Sequence, residues 1–501
     1  MILGILLWNI LSIKDILYYQ SNRYQKDRYL DSMNLYLYDC IHIILLIIII
    51  ILLYQFDLNH IYTLCILGLL PSTYIKIKEY IKQLVITNRI KRFIVGIILF
   101  DILLIFLSSY LYLIIIILLT CMIYFHHAFL YIFITIYHPL ENKIRENYVL
   151  KAKKKLSKYN GTIIGITGSY GKTSIKNLVY DVLSMKYFCL KTKASYNNSM
   201  GITKTILEEL TYQDIFICEM GADHLHEIED LCNFVNPNIG ILTSIGPQHL
   251  STFKSIENIL YEKLKILECL DSNGVGFYNY DNFYLFHHDF NLRCKLISIG
   301  IHNIGDIQAI NISCNQEGSS FDVMIDHEIV HFKTMLLGEH NILNCLFAIA
   351  LGLHFEIDIS LIQLAISSSR PTEHRLELKK FYKGICIDNA YNSNPSSAKS
   401  ALDVLKMMPK RHIIITPGFI DLGNNHEYYS EQFGRQMSFC DMIILIGSCK
   451  DILKGLKIEN YNQDNIYQVN SMKEALKLAS ILIQENDTLL IENDIPQNLI
   501  K

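Results

Sequence analysis

The sequence predicts an α/β protein in three parts: N-terminal transmembrane helices, a P-loop-type central ATPase domain and a Rossmann-like C-terminal domain. Three observations carry this. The chain is strongly apolar up to about residue 137 and mixed thereafter. The short apolar run Thr162–Thr167 turns through glycines into SIKNLVYDVLSM, whose apolar positions recur at helical spacing. From Lys379 onward, short β-rich runs again alternate with helix-like stretches, the pattern of a second parallel-sheet unit.

Composition narrows the function classes. The 501 residues leave room for several domains. The formal net charge of −3 says nothing about nucleic acid, and no basic face interleaved with aromatics suggests such a partner. The 13 cysteines include no C-x-x-C pair, so neither a zinc site nor a disulfide framework is indicated. They read as small buried hydrophobes of a reducing compartment.

Met1–Tyr19 is broken by Lys14 and Asp15 and suits a short span or an interfacial helix. Cys40–Phe56 is nearly all aliphatic, and Ile61–Ile75 is a weaker run interrupted by Pro71. Phe93–Ile136 holds a single acid, Asp101, and is long enough for two spans of roughly 20 residues each. Basic residues cluster at Arg23, Lys26 and Arg28, at Lys76–Arg92 and at Lys143–Lys158, while Asp57–His60 and Ser108–Leu111 lack them. The positive-inside rule then puts everything after about residue 140 in the cytoplasm. The expectation is a multi-pass protein of the cell (inner) membrane, with the lipid bilayer as a partner and the catalytic domains facing the cytoplasm. Its parts are a membrane region at 1–137 with about four to five helices, a basic juxtamembrane linker at 138–158, a central domain at 159–370 and a C-terminal domain at 371–501. Ser368–Arg375, with Pro371, is the hinge. Asp101 is either a functional group within the membrane or a satisfied hydrogen bond inside a helix bundle.

The chemistry concentrates after residue 160. In GITGSYGKTS, Gly165–Ser174, Gly168 and Gly171 let the backbone approach a polyphosphate. Lys172 neutralises its β/γ charge and the Thr173 hydroxyl sits on Mg²⁺. Ile166 stands where the commoner G-x-x-x-x-G-K-[ST] pattern has glycine. Ile215–Met220 reads as a strand ending in Glu219, where a further Mg²⁺ ligand belongs, followed by Gly221-Ala222. The strand Ile239–Ile245 leads into GPQHL with His249. The helix Ser255–Leu267 presents Lys263 and Lys265, each by default a solvated surface lysine. GEHNILN, Gly338–Asn344, offers His340, Asn341 and Asn344 to a base or ribose. DNAYNSNP, Asp388–Pro395, follows the strand Gly384–Ile387 and is more polar than an Asx-rich turn explains.

Taken in order, TGSYGKTS, EMGA, TSIGPQHL, GEHNILN, EHRLE and DNAYNSNP resemble the motif series of the ATP-dependent Mur ligases, over roughly residues 160–501. SYNNSMGI at Ser195–Ile202, TPGFIDLG at Thr416–Gly423 and ENDIP at Glu492–Pro496 direct the resemblance to the branch that adds D-alanyl-D-alanine to UDP-N-acetylmuramoyl-tripeptide. That family's loop, T-G-x-x-G-K-T/S, accounts for Ile166.

The resemblance implies an amide ligase of peptidoglycan precursor synthesis that uses ATP and Mg²⁺ and forms an acyl phosphate. It puts Lys172, His249 and Lys263 at the chemistry. It puts Thr167, Gly168, Ser169, Gly171, Lys172, Thr173 and Ser174, with Asn341, Asn344, Arg375 and Asp388, on the nucleotide. Thr173, Glu219, His249 and Lys263 fall at the metal ions, Lys263 as the lysine carbamylated by CO₂. Lys263 is preferred to Lys265 because the I-x-x-x-K-x-x-I register matches it. Asn197, Asn198, Tyr391, Asn392 and Asn394 face the peptide substrates.

One departure stands out. The family begins with a small soluble domain that binds uridine diphosphate, and here an apolar region ending in YHPLENKIRENYVLKAKKKL occupies those positions. That basic run meets either a diphosphate or anionic lipid head groups, the latter being the reading preferred. The rival functions are a membrane-bound polyglutamate synthase and, from another class, an ATP-gated transporter or scaffold. Neither the third residue of the acceptor peptide nor the oligomeric state is legible.

Overall fold

The computed structural model describes residues 2–21, 86–124, 126–194, 196–391, 393–419, 422 and 425–492. Residues 1–147 and 148–500 form two compact units.

In the first unit the described helices are Ile2–Ser21, Asn88–Ser108, Tyr112–Tyr124 and the opening part of His126–Leu156. Thr87 caps the second, its hydroxyl accepting from the Ile90 N–H at 3.2 Å. Trp8, Ile16, Phe93, Leu119 and Leu130 form a buried apolar cluster. Polar pairs lie among these helices: Asn9 Nδ2 donates to Asp101 at 2.8 Å, His126 Nδ1 pairs with Asp15 at 2.7 Å, and Arg92 holds Glu141 through two bonds of 2.8 Å. Asp101 is therefore hydrogen-bonded inside a helix bundle.

The membrane reading needs correction. Among the described residues no single helix is long and apolar enough to cross a membrane; only a pair bent by 97°, Ile114–Ile123 with Ala128–Leu156, passes that test jointly. The expected double span Phe93–Ile136 is divided among three helices, the middle one only 13 residues long. The basic stretch after residue 138 continues the last of them instead of forming a separate linker. Part of the apolar composition packs into a bundle and polar pairs bridge its helices, while Leu6, Leu99, Phe106 and Ile136 remain exposed. The described residues thus give no support to a multi-pass topology or to the bilayer as partner, and the inner-membrane location is withdrawn. Cys40–Phe56 and Ile61–Ile75 lie outside the described residues.

The second unit holds two sheets. The first has nine strands: β1 (Thr162–Thr167), β2 (Cys189–Lys191), β3 (Ile215–Glu219), β4 (Ile239–Leu242), β5 (Val275–Asn279), β6 (Lys295–Gly300), β7 (Ile307–Asn315), β8 (Gly318–Ile325) and β9 (Glu328–Thr334), in the order β2-β3-β1-β4-β5-β6-β7-β8-β9. Pairing is parallel up to β7 and antiparallel through β8 and β9. β1 is central, in register with β3 (Ile164 opposite Ile217) and β4 (Ile164 opposite Ile239). Ile164 and Ile166 enter one core and Ile163 another, so the strand is covered on both faces and reads as an unbroken apolar run.

The second sheet has six strands: β10 (Glu377–Phe381), β11 (Gly384–Asn389), β12 (His412–Thr416), β13 (Met442–Ile446), β14 (Ile466–Val469) and β15 (Thr488–Glu492), in the order β10-β11-β15-β12-β13-β14. Only β10 is antiparallel. Ile443 and Leu445 face one core, Ile444 and Ile446 the other.

An ion pair closes the start of β15. The Arg411 guanidinium holds the Asp487 carboxylate at 2.6 and 3.3 Å. Burial pushes that carboxyl up, but Arg411 and the Gln484 N–H outweigh it and hold it below its ordinary value. An acid with a depressed value stabilises the fold above its ordinary range and loses that contribution as pH falls. Asp487→Asn is expected to cost roughly 1–2 kcal/mol near pH 7, Arg411 being partly solvated. The gap to the parent protein should close below about pH 4, read from urea midpoints across pH.

Candidate active site

The strands β2, β3, β1 and β4 are neighbours and parallel, so their C-terminal ends share one edge, and the phosphate loop leaves from β1. Gly168 has φ +147°, and a Cβ there would overlap the Thr243 hydroxyl; Gly171 has φ +84° and opens the helix Lys172–Leu183. Only glycine suits both positions. The loop is pinned to the segment after β4: Ser169 N–H donates to Ser244 O at 2.8 Å, and the Ser169 hydroxyl exchanges bonds with Gly246 at 3.1 Å. The Thr167 hydroxyl donates to Met220 O at 2.8 Å. Thr167 and Ser169 thus use their side chains to hold the loop. Ser174 lies in the first turn of the helix.

Lys172 arches back over the loop, its Nζ donating to Gly168 O at 2.5 Å and Ser169 O at 3.2 Å. Glu219, at the end of β3, gathers the polar groups. Thr173 Oγ1 and Lys176 Nζ donate to its Oε2 at 3.0 and 2.9 Å, and Asn197 Nδ2 to its Oε1 at 3.2 Å. Asn197 also explains Gly221, where a Cβ would stand 2.7 Å from the Asn197 side chain. Burial pushes the Glu219 carboxyl up, but Lys176 and Lys172 outweigh it and keep it below its ordinary value. Burial lowers the Lys172 amine to about 8, Glu219 opposing and Arg375 reinforcing the shift.

Lys263 lies buried on the helix Ile256–Glu268, whose cap is Ser255. Its Nζ donates to Ala222 O at 3.2 Å and stands 5.8 Å from the centre of the Phe253 ring. Burial, reinforced by the charge of Lys172, lowers this amine to about 7, against the pull of Glu262, Glu227 and Asp223. Lys265 instead pairs with Glu268 at 2.6 Å. His249 has φ +53° and opens the short helix Leu250–Phe253. Thr252, in that helix, bonds both His249 O and Asp223 O, so the His249 turn and Lys263 meet around residues 222–223.

Asn344 lies against the phosphate loop, its Oδ1 3.3 Å from where a Gly171 Cβ would sit, and its Nδ2 donates to Asn341 Oδ1 at 3.1 Å. Arg375 is pressed against the Tyr391 ring, 4.5 Å from its centre, with its Nε–H buried and unpartnered among the described residues. Asp388 accepts from Lys379 at 2.7 Å and pairs with His374 at 2.8 Å, bonds that outweigh burial and keep its carboxyl low.

Two residues expected to face peptide do helix work. Asn198 Oδ1 accepts from Gly201 N and Asn394 Oδ1 from Ser397 N, each at 2.9 Å, capping the helices Ser199–Glu208 and Pro395–Met407. Asn392 lies outside the described residues.

Three contributors were missed in the sequence. Lys176 could have been found, standing one helical turn after Lys172 on the same face. Tyr170, whose hydroxyl accepts from Ser396 Oγ at 3.2 Å, joins the phosphate loop to the helix Pro395–Met407, and no local signal marks it. Glu262 accepts the N–H groups of His226 and Ile228 at 2.6 and 2.5 Å, anchoring the helix Glu227–Val235 beside Lys263.

Comparisons with known proteins agree with this arrangement. The Mur ligase middle domain matches residues 166–352, and the Mur ligase glutamate ligase domain matches residues 374–492. The UDP-N-acetylmuramoyl-tripeptide--D-alanyl-D-alanine ligase of Bacillus subtilis (strain 168) is 28% identical over 347 residues, 68% of this chain and 75% of that protein. The enzyme of the same name from Buchnera aphidicola subsp. Baizongia pistaciae is 29% identical over 336 residues, 66% of this chain and 72% of that one. The crystal structure of the MurF ligase from Thermotoga maritima in complex with ADP has the same fold, with a TM-score of 0.63 at 19% identity over 70% of this chain and 80% of that one. With both catalytic domains matched and the motifs gathered at one sheet edge, the chain belongs to the Mur ligase family.

Proposed function

We propose that this protein joins D-alanyl-D-alanine to UDP-N-acetylmuramoyl-tripeptide at the expense of ATP, releasing ADP and phosphate in peptidoglycan precursor synthesis. Residues 159–370 are the ATP-binding domain and 371–501 the C-terminal domain. The observation that carries the reading is a set of basic side chains gathered beside the glycine loop: Lys176 pairs with the buried Glu219, Lys172 and Arg375 feel the same carboxylate, and Lys263 feels the charge of Lys172. Lys172 and Arg375 disfavour each other's charge, as do Lys172 and Lys263, so the site calls for a polyanion.

A tripeptide carboxylate oxygen attacks the γ-phosphorus of ATP and ADP leaves, giving an acyl phosphate. The dipeptide amine then attacks the acyl carbon, loses a proton, and the tetrahedral intermediate expels phosphate. Lys172 and the loop N–H groups stabilise the charge that accumulates on the phosphoryl oxygens. Arg375, Asn341, Asn344 and Asp388 hold the nucleotide. The donor set suits Mg²⁺: the Thr173 hydroxyl and the Glu219 carboxylate are hard oxygen ligands 3.0 Å apart. Bound there, the ion neutralises phosphate charge. His249 and Lys263 would hold a second ion, Lys263 as a carbamate. Its depressed amine supports this, since only a neutral amine adds CO₂.

The dipeptide has a candidate seat. A cavity of about 270 Å³ is lined by Ser396, Lys399, Phe419, Tyr429 and Phe433 among others, and Ser396 bonds Tyr170 of the phosphate loop. Lys399 suits the C-terminal carboxylate, and the rings suit two methyl groups. Asn197 and Tyr391 are assigned to the peptide substrates.

The test offers the purified protein ATP, UDP-N-acetylmuramoyl-tripeptide and either D-alanyl-D-alanine or glutamate. Phosphate release with the dipeptide, and a product heavier by the dipeptide less water, are expected. Release with glutamate alone would instead identify a polyglutamate-type ligase.

A further inference from the structure

The ENDIP segment sets the resemblance but has no role in the chemistry above. Its first residue, Glu492, ends β15 with its side chain fully buried. Asn389 Nδ2 donates to Oε2 at 2.8 Å, and the Ser393 hydroxyl donates to Oε1. Asn389 stands directly opposite Glu492 in the parallel β11–β15 register. Among the described residues no ion pair to Glu492 occurs. An acid buried without a cation costs several kcal/mol, and an apolar residue would hold the sheet as well. The acid therefore calls for a reason beyond packing.

That reason lies in what its two donors belong to. Both sit on the DNAYNSNP turn. The same turn carries Asp388, tied to His374 and Lys379, and Tyr391, whose ring lies against Arg375. It ends in Asn394, which caps the helix whose first turn lines the cavity. One carboxyl thus bolts down the segment that serves the nucleotide on one side and the dipeptide on the other.

We propose that Glu492 is a positioning residue for both substrates, acting through Asn389 and Ser393 on the turn Asp388–Asn394. The dipeptide half of this rests on the function proposed above; the nucleotide half does not. Burial raises the carboxyl to about 7, the Asn389 and Ser393 hydrogen bonds opposing. A neutral glutamine can imitate it, its oxygen accepting from Asn389 and its amide donating to Ser393 Oγ.

The experiment compares Glu492→Ala, Glu492→Gln and Asp487→Asn in the full chain, the last loosening the other end of β15. ADP affinity by calorimetry, KM for D-alanyl-D-alanine, kcat and Tm are read together. Glu492→Ala is expected to weaken ADP about fivefold and raise the dipeptide KM about tenfold, with kcat changed less. Glu492→Gln should stay within about twofold of the parent on both, and Asp487→Asn should lower Tm while leaving both unchanged. Unchanged ADP affinity in Glu492→Ala, or an equal loss in Asp487→Asn, overturns the proposal. If Glu492→Ala does not fold, Ser393→Ala must show the same shifts at smaller size, and parent-like values there overturn it too. A parent protein that binds ADP yet ignores the dipeptide defeats the proposed function instead, and the ADP affinities still decide the role of Glu492.

Discussion

Lys172→Ala should reduce dipeptide-dependent ADP release by about 10³-fold or more, equivalent to about 4 kcal/mol of transition-state stabilisation, while the protein still folds. The fold survives because Lys172 is not what shapes its loop. The bonds that do so, from Ser169 to Ser244 and Gly246, stay in place, as do both left-handed glycines. Alanine is also the best helix former at the first position of the helix Lys172–Leu183. What is lost is the cation that arches over Gly168 and Ser169, where the β/γ charge gathers. Phosphate release and far-UV circular dichroism on the same preparation check the prediction. Turnover within tenfold of the parent would remove Lys172 from the mechanism.

The parts of this molecule that were legible are those set by local chemistry. Thr162–Thr167 emerges as a strand residue for residue, because a strand covered on both faces must be continuously apolar. The phosphate loop was legible because its glycines answer to backbone geometry within four residues. The ribbon β7–β9 was not recognised. Its strands are half exposed, and the alternation is disturbed by a register shift between Ile310 and Ser313, with Asn311 at φ +52°. The ion pair of Lys176 with Glu219 joins residues far apart in sequence, so no window along the chain contains it. The misreading of the N-terminal region has a related cause. Apolar runs look alike whether lipid or protein covers them, and the pairs that speak for a bundle, Asn9 with Asp101 and Asp15 with His126, are tertiary. Asn198 and Asn394 cap helices, a role that was locally readable and was not drawn from the sequence.

Lys263→Ala should lower kcat by about 10²-fold or more, with Lys265→Ala within about twofold of the parent. The two lysines are two residues apart on one helix and live in different surroundings. Lys265 is partly solvated, paired with Glu268 and laid over Tyr261, so its loss removes a surface contact worth little. Lys263 is buried beside Ala222 and Phe253, its amine lowered to about 7, first by burial and then by Lys172. At neutral pH a substantial share of that amine is neutral and can add CO₂, whereas a solvated lysine is almost wholly protonated. The carbamate exchanges a cation for an anion in a site crowded with Lys172 and Arg375, which electrostatics favours. Removing the side chain leaves a void next to Ala222 that a small carboxylate can enter. Added formate is therefore expected to restore part of the activity of Lys263→Ala and none of that of Lys172→Ala. Full activity in Lys263→Ala, or an equal loss in Lys265→Ala, would show that the register chosen for this helix is wrong.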